Sequence, residues 1–463
     1  MTKKVQIVII KYKILQIYHY YQSQKNMLDL WNNTYLVWLQ KAITTSDIVK
    51  FFDNLVTLGS EMEASDIHIE PYENYCRIRI RIDGILHEIV QYPKNIHDNI
   101  IAKFKIESGQ MRPDEKRLPQ DARVSTVTLT HKELDLRANT LPTVWGEKLV
   151  MRIVDKSKKI PLLEDLGIEW SNAEILNRNL TYPNGIIIAT WPTWSGKTTT
   201  LYACLNKLNK NTVNILTYED PVESRINGLN QSQIRSDIWF SFAQWLRWSL
   251  RQDPDIVLVW EIRDRETLDT AMEAAMTWHL VFSTVHTNSS AETITRVMNL
   301  WAKSYQICGT FNLIIAQRLA RKVCDDCKEL IDVSKTDFYK YAKGSLANMK
   351  EDTLKKELSL RNINTSQWKD FSEWKIYIWR WADKEGHTCK TCNGTWYKGR
   401  VWLFESMEYT DDLKNLLLQW KTAFEVEKWM LENGMINLER DGIFRTIKWQ
   451  TTLEEVYRLS KHK

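Results

Sequence analysis

The stretch "NGIIIATWPTWSGKTTTLYACLNKL", residues 184–208, constrains the fold of this chain more than any other. An unbroken apolar run bounded by a loop is a strand covered on both faces, as in parallel sheets flanked by helices. The helix that begins inside the following loop supplies one of the flanking layers. Further apolar strands at Asn214–Tyr218, Ile256–Val259 and His279–Thr284 are separated by helical stretches, notably Arg265–Met276. That alternation predicts a three-layer α/β domain with a mainly parallel sheet.

The loop itself is unusual. With small residues at 191 and 194 it would read G-P-T-G-S-G-K-T, a Walker A phosphate loop. Trp191, Pro192, Thr193, Trp194, Ser195, Gly196, Lys197, Thr198 and Thr199 are then the candidate ATP-binding residues. Such a loop turns successive backbone N–H groups inward onto a phosphate, which demands strained angles and no side chain in the way. Lys197 would bridge the β- and γ-phosphates, Thr198 would ligate Mg²⁺, and the helix N-terminus adds its dipole. "DPDIVLVWEIRD" reads as the strand that delivers a carboxylate, Glu261, to the same edge of the sheet. Its plainer alternative is a solvated Glu261 paired with Arg263. "LTYEDPVE" and "WHLVFSTVHTN" add acidic residues and histidines around two more strands.

Upstream, Asp47 is placed to cap a helix running through Val49, Phe52, Leu55 and Val56 toward Met62. "SDIHIE" and "CRIRIRIDGIL" alternate with period two, and Asp83-Gly84 is a hairpin turn. A second hairpin is expected at Val124–Thr130 and Glu133–Asn139. The expected layout has a segment of unclear structure (1–45), a small α+β, PAS-like domain (46–155) and a charged linker (156–163). A RecA-like P-loop ATPase core (164–320), a cysteine-bearing module (321–400) and a helical C-terminal region (401–463) follow.

Composition sets limits. The chain is 43% hydrophobic and 26% charged with a net charge of +5, an ordinary globular balance that gives no ground for expecting direct nucleic-acid binding. No apolar run reaches the length of a membrane span. The start "MTKKVQIVIIKYK" lacks a cleavage site, so no signal peptide is expected. Four of the seven cysteines form two CxxC pairs, Cys324/Cys327 and Cys389/Cys392. Thiolates spaced this way suit one tetrahedral Zn²⁺.

These motifs resemble, in order, those of the secretion ATPases of type II secretion and type IV pilus assembly, over roughly residues 46–463. "ASDIHIEP", "RIRIDGIL", "RLPQDAR", "TLPTVWGEKLVMRI", the phosphate loop, "YEDPVE", the stretch from "LRQDPD" to "VHTNS", and "AQRLARKVC" carry the resemblance. It implies a cytoplasmic homo-hexamer, peripherally associated with the inner face of the cytoplasmic membrane. ATP hydrolysis with Mg²⁺ would move an inner-membrane platform protein. It implies an acidic box at Glu219, Asp220 and Glu223, a histidine box with His279 and His286, and Glu261 as the catalytic carboxylate. Arg137 and Arg152 match arginines that reach the nucleotide from the smaller domain, and Arg247, Arg251 and Arg263 match further family arginines. The four cysteines match a zinc-binding tetracysteine module of assembly ATPases, which retraction and DNA-uptake motors generally lack. By the same resemblance, no counterpart of the large N-terminal domain of many secretion ATPases is expected before residue 46.

The same resemblance exposes a pattern. Trp191, Trp194, Trp245, Trp260, Trp278, Trp301, Trp396, Trp402 and Trp449 stand where the family usually has glycine, and Trp239 and Trp420 fall in the same class. The chain holds 21 Trp and only 15 Gly, against about 32 glycines expected at this length. Trp278 follows a helix where a left-handed cap is expected, Trp260 sits where phosphates approach, and Trp396 and Trp402 are expected to flank a tight turn. One replacement, always of the same kind, suggests UGA codons that mean glycine and were read as tryptophan. Two alternatives stand beside the motor: an inactive scaffold in which the indoles are real, and a retraction or DNA-uptake motor.

Overall fold

The computed structural model describes residues 33–155, 160–190, 197–234, 242–332, 339–347, 349–362, 375–379, 389, 391–392, 395–419 and 422–460. Their contacts divide them into two compact units. The first holds the residues up to 155, with Cys324–Cys327 and the described part of 379–399. Its first helix, α1 (Thr34–Thr45), is capped by Asn33, whose side chain accepts from the Tyr35 N–H. No periodicity is visible here because the inward stripe is only Leu36, Leu39 and Ala42, with Val37 and Trp38 exposed between them. Helix α2 (Ile48–Glu61) is capped by Asp47, which accepts from the Lys50 N–H.

Strands β1 (Asp66–Pro71), β2 (Tyr75–Ile82) and β3 (Ile85–Pro93), helix α3 (His97–Ser108), and strands β4 (Gln120–Val127), β5 (Glu133–Thr143) and β6 (Gly146–Asp155) complete this unit's sheet. The strand order is β3-β2-β1-β6-β5-β4. Asp83 and Gly84 have φ of 47° and 83°, the two positive values that a type I′ hairpin turn needs. Register pairs Ile67 with Ile80 and Ile69 with Ile78, and all four are buried in one cluster with residues of α1–α3. The alternate positions pair Asp66 with Arg81, His68 with Arg79 and Glu70 with Arg77. Period-two alternation therefore makes one face a core and the other a charge ladder. Burial alone would raise Glu70, but Arg79, Lys148 and Arg77 at 2.7, 2.8 and 3.0 Å hold its carboxyl at about 2.

The second unit begins with α4 (Trp170–Asn179), β7 (Gly185–Thr190), α5 (Lys197–Leu208), β8 (Ile215–Glu219), β9 (Asn230–Gln233) and α6 (Phe242–Ser249). It continues through β10 (Ile256–Val259), α7 (Arg265–Met276), β11 (Leu280–Val285), α8 (Ser290–Asn299), α9 (Ser304–Thr310) and β12 (Phe311–Val323). Strands β13 (Lys328–Asp332) and β14 (Lys375–Trp379) pair with each other, and α10 (Tyr339–Ala347) and α11 (Glu351–Leu360) lie between them in sequence. Strand β15 (Tyr397–Glu408) returns to the main sheet, whose order is β15-β12-β7-β11-β10-β8-β9. All pairs from β12 to β9 are parallel.

Every residue of β7, β8, β10 and β11 is buried. Ile186 and Ile188 enter one apolar cluster with Val257, Val259 and α7; Ile187 and Ala189 enter another with Leu258, Phe282 and α5. Neighbouring residues of one strand thus feed opposite layers, which makes the sheet the middle of three.

The C-terminal region is helical, through α12 (Asp411–Leu418), α13 (Ala423–Glu432), α14 (Leu438–Ile447) and α15 (Leu453–Ser460); residues 401–408, before these helices, belong to β15. Leu403 and Phe404 are both buried, in different clusters, so this strand shows none of the alternation that marks a half-exposed one. Between the two cysteine pairs the chain forms α10 and α11, whose Ala342, Leu346, Leu354 and Leu358 pack with Ile443, Phe444 and Val456.

Candidate nucleotide and metal sites

In a parallel sheet the carboxyl ends of the strands share one edge, and loops there build sites. Strand β7 ends at Thr190 and helix α5 starts at Lys197. Trp191, Pro192, Thr193, Trp194, Ser195 and Gly196, and the Lys197 side chain, lie outside the described residues. Their frame is described. The Thr190 hydroxyl donates to the Thr287 carbonyl at 3.0 Å and accepts from its N–H at 3.2 Å. Thr200, in the first turn of α5, donates to Gln317 at 2.6 Å. Thr198 and Thr199 are half-buried in the same turn.

Glu261 stands two residues beyond the end of β10. Its side chain is only 8% exposed, yet both oxygens have side-chain partners: Arg263 Nε at 2.7 Å and His286 Nε2 at 3.4 Å. The pairing with Arg263 that the plainer alternative expects is present, with the guanidinium exposed and the carboxylate not. The neighbouring main chain is fixed, because the Ile262 N–H donates to the Thr284 carbonyl at 2.9 Å and the Trp260 N–H to the Tyr218 carbonyl at 2.9 Å.

Glu219 ends β8 and is completely buried. Its carboxylate accepts from the hydroxyl of Tyr202, from Thr217 at 2.6 Å and from Gln231 Nε2 at 3.2 Å. Burial raises it above the ordinary carboxylate range, against the pull of those donors. Asp220 is exposed and Glu223 half-buried in the loop that follows. The Tyr202 hydroxyl also accepts from the Glu223 N–H at 3.2 Å. Sequence reasoning missed Tyr202, Gln231, Thr190 and Thr287; nothing in the local spacing signals partners that the fold brings from other elements.

The two histidines part company. His286 follows β11 and meets Glu261, whereas His279 precedes β11. His279 sits beside the end of α7, with Nδ1 3.0 Å from the Ala274 carbonyl and 3.2 Å from the Thr277 hydroxyl. A strand rises about 3.3 Å per residue, so some 20 Å of β11 separates them. The structure therefore does not bring His279 to Glu261; a motif continuous in sequence straddles the sheet.

Arg137 and Arg152 are register partners on β5 and β6. Arg152 Nε lies 3.5 Å from Asp66 Oδ1. Arg247 makes a solvent-exposed pair with Glu266, and Arg251 lies over the Trp248 ring.

Cys324, Cys327, Cys389 and Cys392 converge, all buried, with sulfurs within 4.8 Å of one another. Sγ separations are 3.9 Å for Cys324–Cys389 and 3.5 Å for Cys327–Cys392. Four sulfurs about 2.3 Å from one tetrahedral Zn²⁺ would stand about 3.8 Å apart, so the cluster fits that ion.

The tryptophans divide in the same concrete way. Trp278, Trp301, Trp396 and Trp449 have φ of 70°, 73°, 68° and 67°, and Trp170 has 63°. In helices α8 and α14 the position after the cap closes a Schellman motif. Ala302 N–H bonds to Val297 and Gln450 N–H to Arg445, each carrying the chain over a tryptophan where glycine is favoured. His279 N–H bonds to Ala274 across Trp278 in the same way. Trp278 and Trp301 are 76% and 75% exposed, so no packing compensates the roughly 1–2 kcal/mol that a left-handed non-glycine residue costs. Trp245, Trp260 and Trp402 do not have positive φ. Trp402 does not flank a turn but lies within β15, stacked near Phe404. Trp239 and Trp420 lie outside the described residues.

The parallel order, the Gly196-Lys197-Thr198 helix start and the carboxylate beyond β10 place the chain in the class of P-loop ATPases. The profile of the Type II/IV secretion system protein family matches residues 42–458, and the chain belongs to that family. It is 38% identical over 415 residues to the type IV pilus assembly ATPase PilB of Pseudomonas aeruginosa, covering 89% of this chain and 68% of that protein. It is 34% identical over 414 residues to the type II secretion system protein E of Aeromonas hydrophila, covering 89% and 76% respectively. Among solved structures, the Legionella pneumophila ATPase DotB aligns with a TM-score of 0.60 at 18% identity, over 88% of this chain and 95% of that one. That likeness speaks for the fold alone. Among the described residues, no helix is long and apolar enough to cross a membrane.

Proposed function

We propose that this chain is the ATP-driven motor of type IV pilus assembly or type II protein secretion. It works as a homo-hexamer on the cytoplasmic side of the inner membrane and moves a platform protein there. Lys197 and the first turn of α5 hold the phosphates, and Thr198 holds Mg²⁺. Glu261 orients the attacking water, with Arg263 and His286 fixing its carboxylate. Asp220 and Glu223, on the loop anchored by Glu219, line the same edge. Arg137 and Arg152 neutralise transferring phosphate from the smaller domain; a planar, permanently charged guanidinium suits that task. When bound, Mg²⁺ supplies charge for the transferring phosphoryl group, and Zn²⁺ at the four cysteines is structural.

The observation that carries this reading is Glu261, nearly buried between Arg263 and His286 at the edge where α5 begins. Lys197→Ala should abolish ATP turnover; retained activity would move the site elsewhere. Cys324→Ser should lower the zinc content found by elemental analysis, and unchanged zinc would refute the tetracysteine assignment.

The native protein carries glycine at Trp191, Trp194, Trp278, Trp301, Trp396 and Trp449, and Trp170 joins them. The support is the positive φ of the five described positions and the phosphate loop's need for small residues. UGG codons at these positions in the gene would sink the idea, and peptide mass spectrometry on native protein tests it independently. The inactive-scaffold reading needs indoles at 191 and 194. Assaying glycine and tryptophan forms side by side separates the two, since turnover in neither favours the scaffold.

A further inference from the structure

We propose that Tyr202 is a positioning residue for turnover, its hydroxyl coupling the phosphate-loop helix to the acidic loop at 219–223. The inference rests on the reading of that loop as part of the nucleotide site.

Tyr202 lies in α5, five residues after Lys197, and is 2% exposed within an apolar cluster. A buried hydroxyl without a partner costs roughly 1–3 kcal/mol, so a core tyrosine is tolerated where its oxygen is used. Here it is used twice. It donates to Glu219 Oε2 and accepts from the Glu223 N–H at 3.2 Å. It thus grips the loop at both its first and its last acidic position. From the other side Gln231 of β9 holds Glu219 at 3.2 Å, the Ser224 carbonyl at 3.0 Å and the Ile226 N–H at 2.7 Å. Gln231 belongs to the sheet and Tyr202 to the helix. Five residues of helix span about 7.5 Å, too short to bend. Movement at the helix start, where phosphates bind, therefore reaches the loop through this hydroxyl.

Tyr202→Phe keeps the ring and removes the coupling. It is tested in the full chain, in whichever of the glycine and tryptophan forms turns over ATP. The expected result is a kcat for ATP lowered on the order of tenfold, with KM within about twofold, because only the catalytic arrangement is disturbed. A Tyr202→Phe/Glu219→Gln double variant should be no slower than Glu219→Gln alone, since the hydroxyl acts through that carboxylate. Unchanged kcat in Tyr202→Phe beside a slow Glu219→Gln overturns the inference alone. Unchanged kcat in Glu219→Gln removes the acidic-loop reading and the inference with it. Losses that multiply in the double variant, or a Tyr202→Phe chain without a cooperative melt, would make the hydroxyl merely structural and also overturn it.

Discussion

Strands β8 and β10 are parallel neighbours, and each delivers a glutamate to the same edge of the sheet. Glu219 and Glu261 are both nearly or wholly buried. Their company differs. Glu219 meets a phenol, a threonine hydroxyl and an amide, all neutral donors, and burial lifts it toward its protonated form. Glu261 meets a guanidinium and an imidazole. The chemistry of their partners, rather than their depth, is what distinguishes the two carboxylates. The largest effect should follow from removing the carboxylate that Arg263 and His286 hold. Glu261→Gln should slow ATP turnover by roughly 100- to 1,000-fold with nucleotide binding retained. Steady-state assay beside a binding titration checks this, and activity above about a tenth of the parent's would break the contrast.

Glu455 sharpens the comparison, being as deeply buried as Glu219 but held by Arg321 and Arg458. Burial would raise it, yet the arginines win and set its carboxyl at about 2, from an ordinary value of 4.5. A group depressed on folding contributes stability that is full above the unfolded value and is lost as pH falls toward the folded one. Glu455→Gln should therefore cost about 3 kcal/mol near neutrality, a penalty that shrinks between about pH 4.5 and 2. Urea unfolding of both forms across that range reads the difference; a constant gap would contradict the ion-pair account.

Glu219 should show the opposite sign at smaller size. Its folded value is raised, so its contribution is greatest below the unfolded value near 4.5 and is lost as pH rises through the folded one. Glu219→Gln should flatten that slope in the same unfolding series. It should slow turnover on the order of tenfold, as a displaced loop does, rather than abolish it. A loss matching that of Glu261→Gln would erase the distinction between the two carboxylates.

What the sequence disclosed follows the same physics. Strands β7, β8, β10 and β11 were legible because burial on both faces leaves unbroken apolar runs, and the β1–β2 ladder because one buried face imposes a period of two. Strand β15 was hidden because two buried polar residues, Glu405 and Ser406, break its apolar run, so "VWLFESMEY" shows neither an unbroken run nor a period of two. Glu261 was legible from its place after an apolar strand, but its partner His286 lies on another strand's end and needed the fold. Tyr202 and Gln231 were invisible, since each acts across a sequence separation that no local pattern records. The tryptophans were readable through the glycine family positions, yet only backbone angles distinguish Trp278, which needs a left-handed residue, from Trp402, which does not. Trp170 came from those angles alone.

The smallest effect tests where sequence continuity misleads. "WHLVFSTVH" carries two histidines that a motif groups together, and β11 drives them to opposite edges of the sheet. At the carboxyl edge His286 shares Glu261 with Arg263, so His286→Ala should slow turnover by loosening that carboxylate. His279 instead sets its ring beside the Ala274 carbonyl at the close of α7. That carbonyl keeps the backbone N–H groups of Thr277 and His279 when the ring is removed, so the change should stay within about 0.5 kcal/mol. His279→Ala should therefore leave kcat within about twofold. A His279→Ala loss equal to that of His286→Ala would mean that the amino edge of the sheet also takes part in turnover, and the division of labour between the two edges would fall.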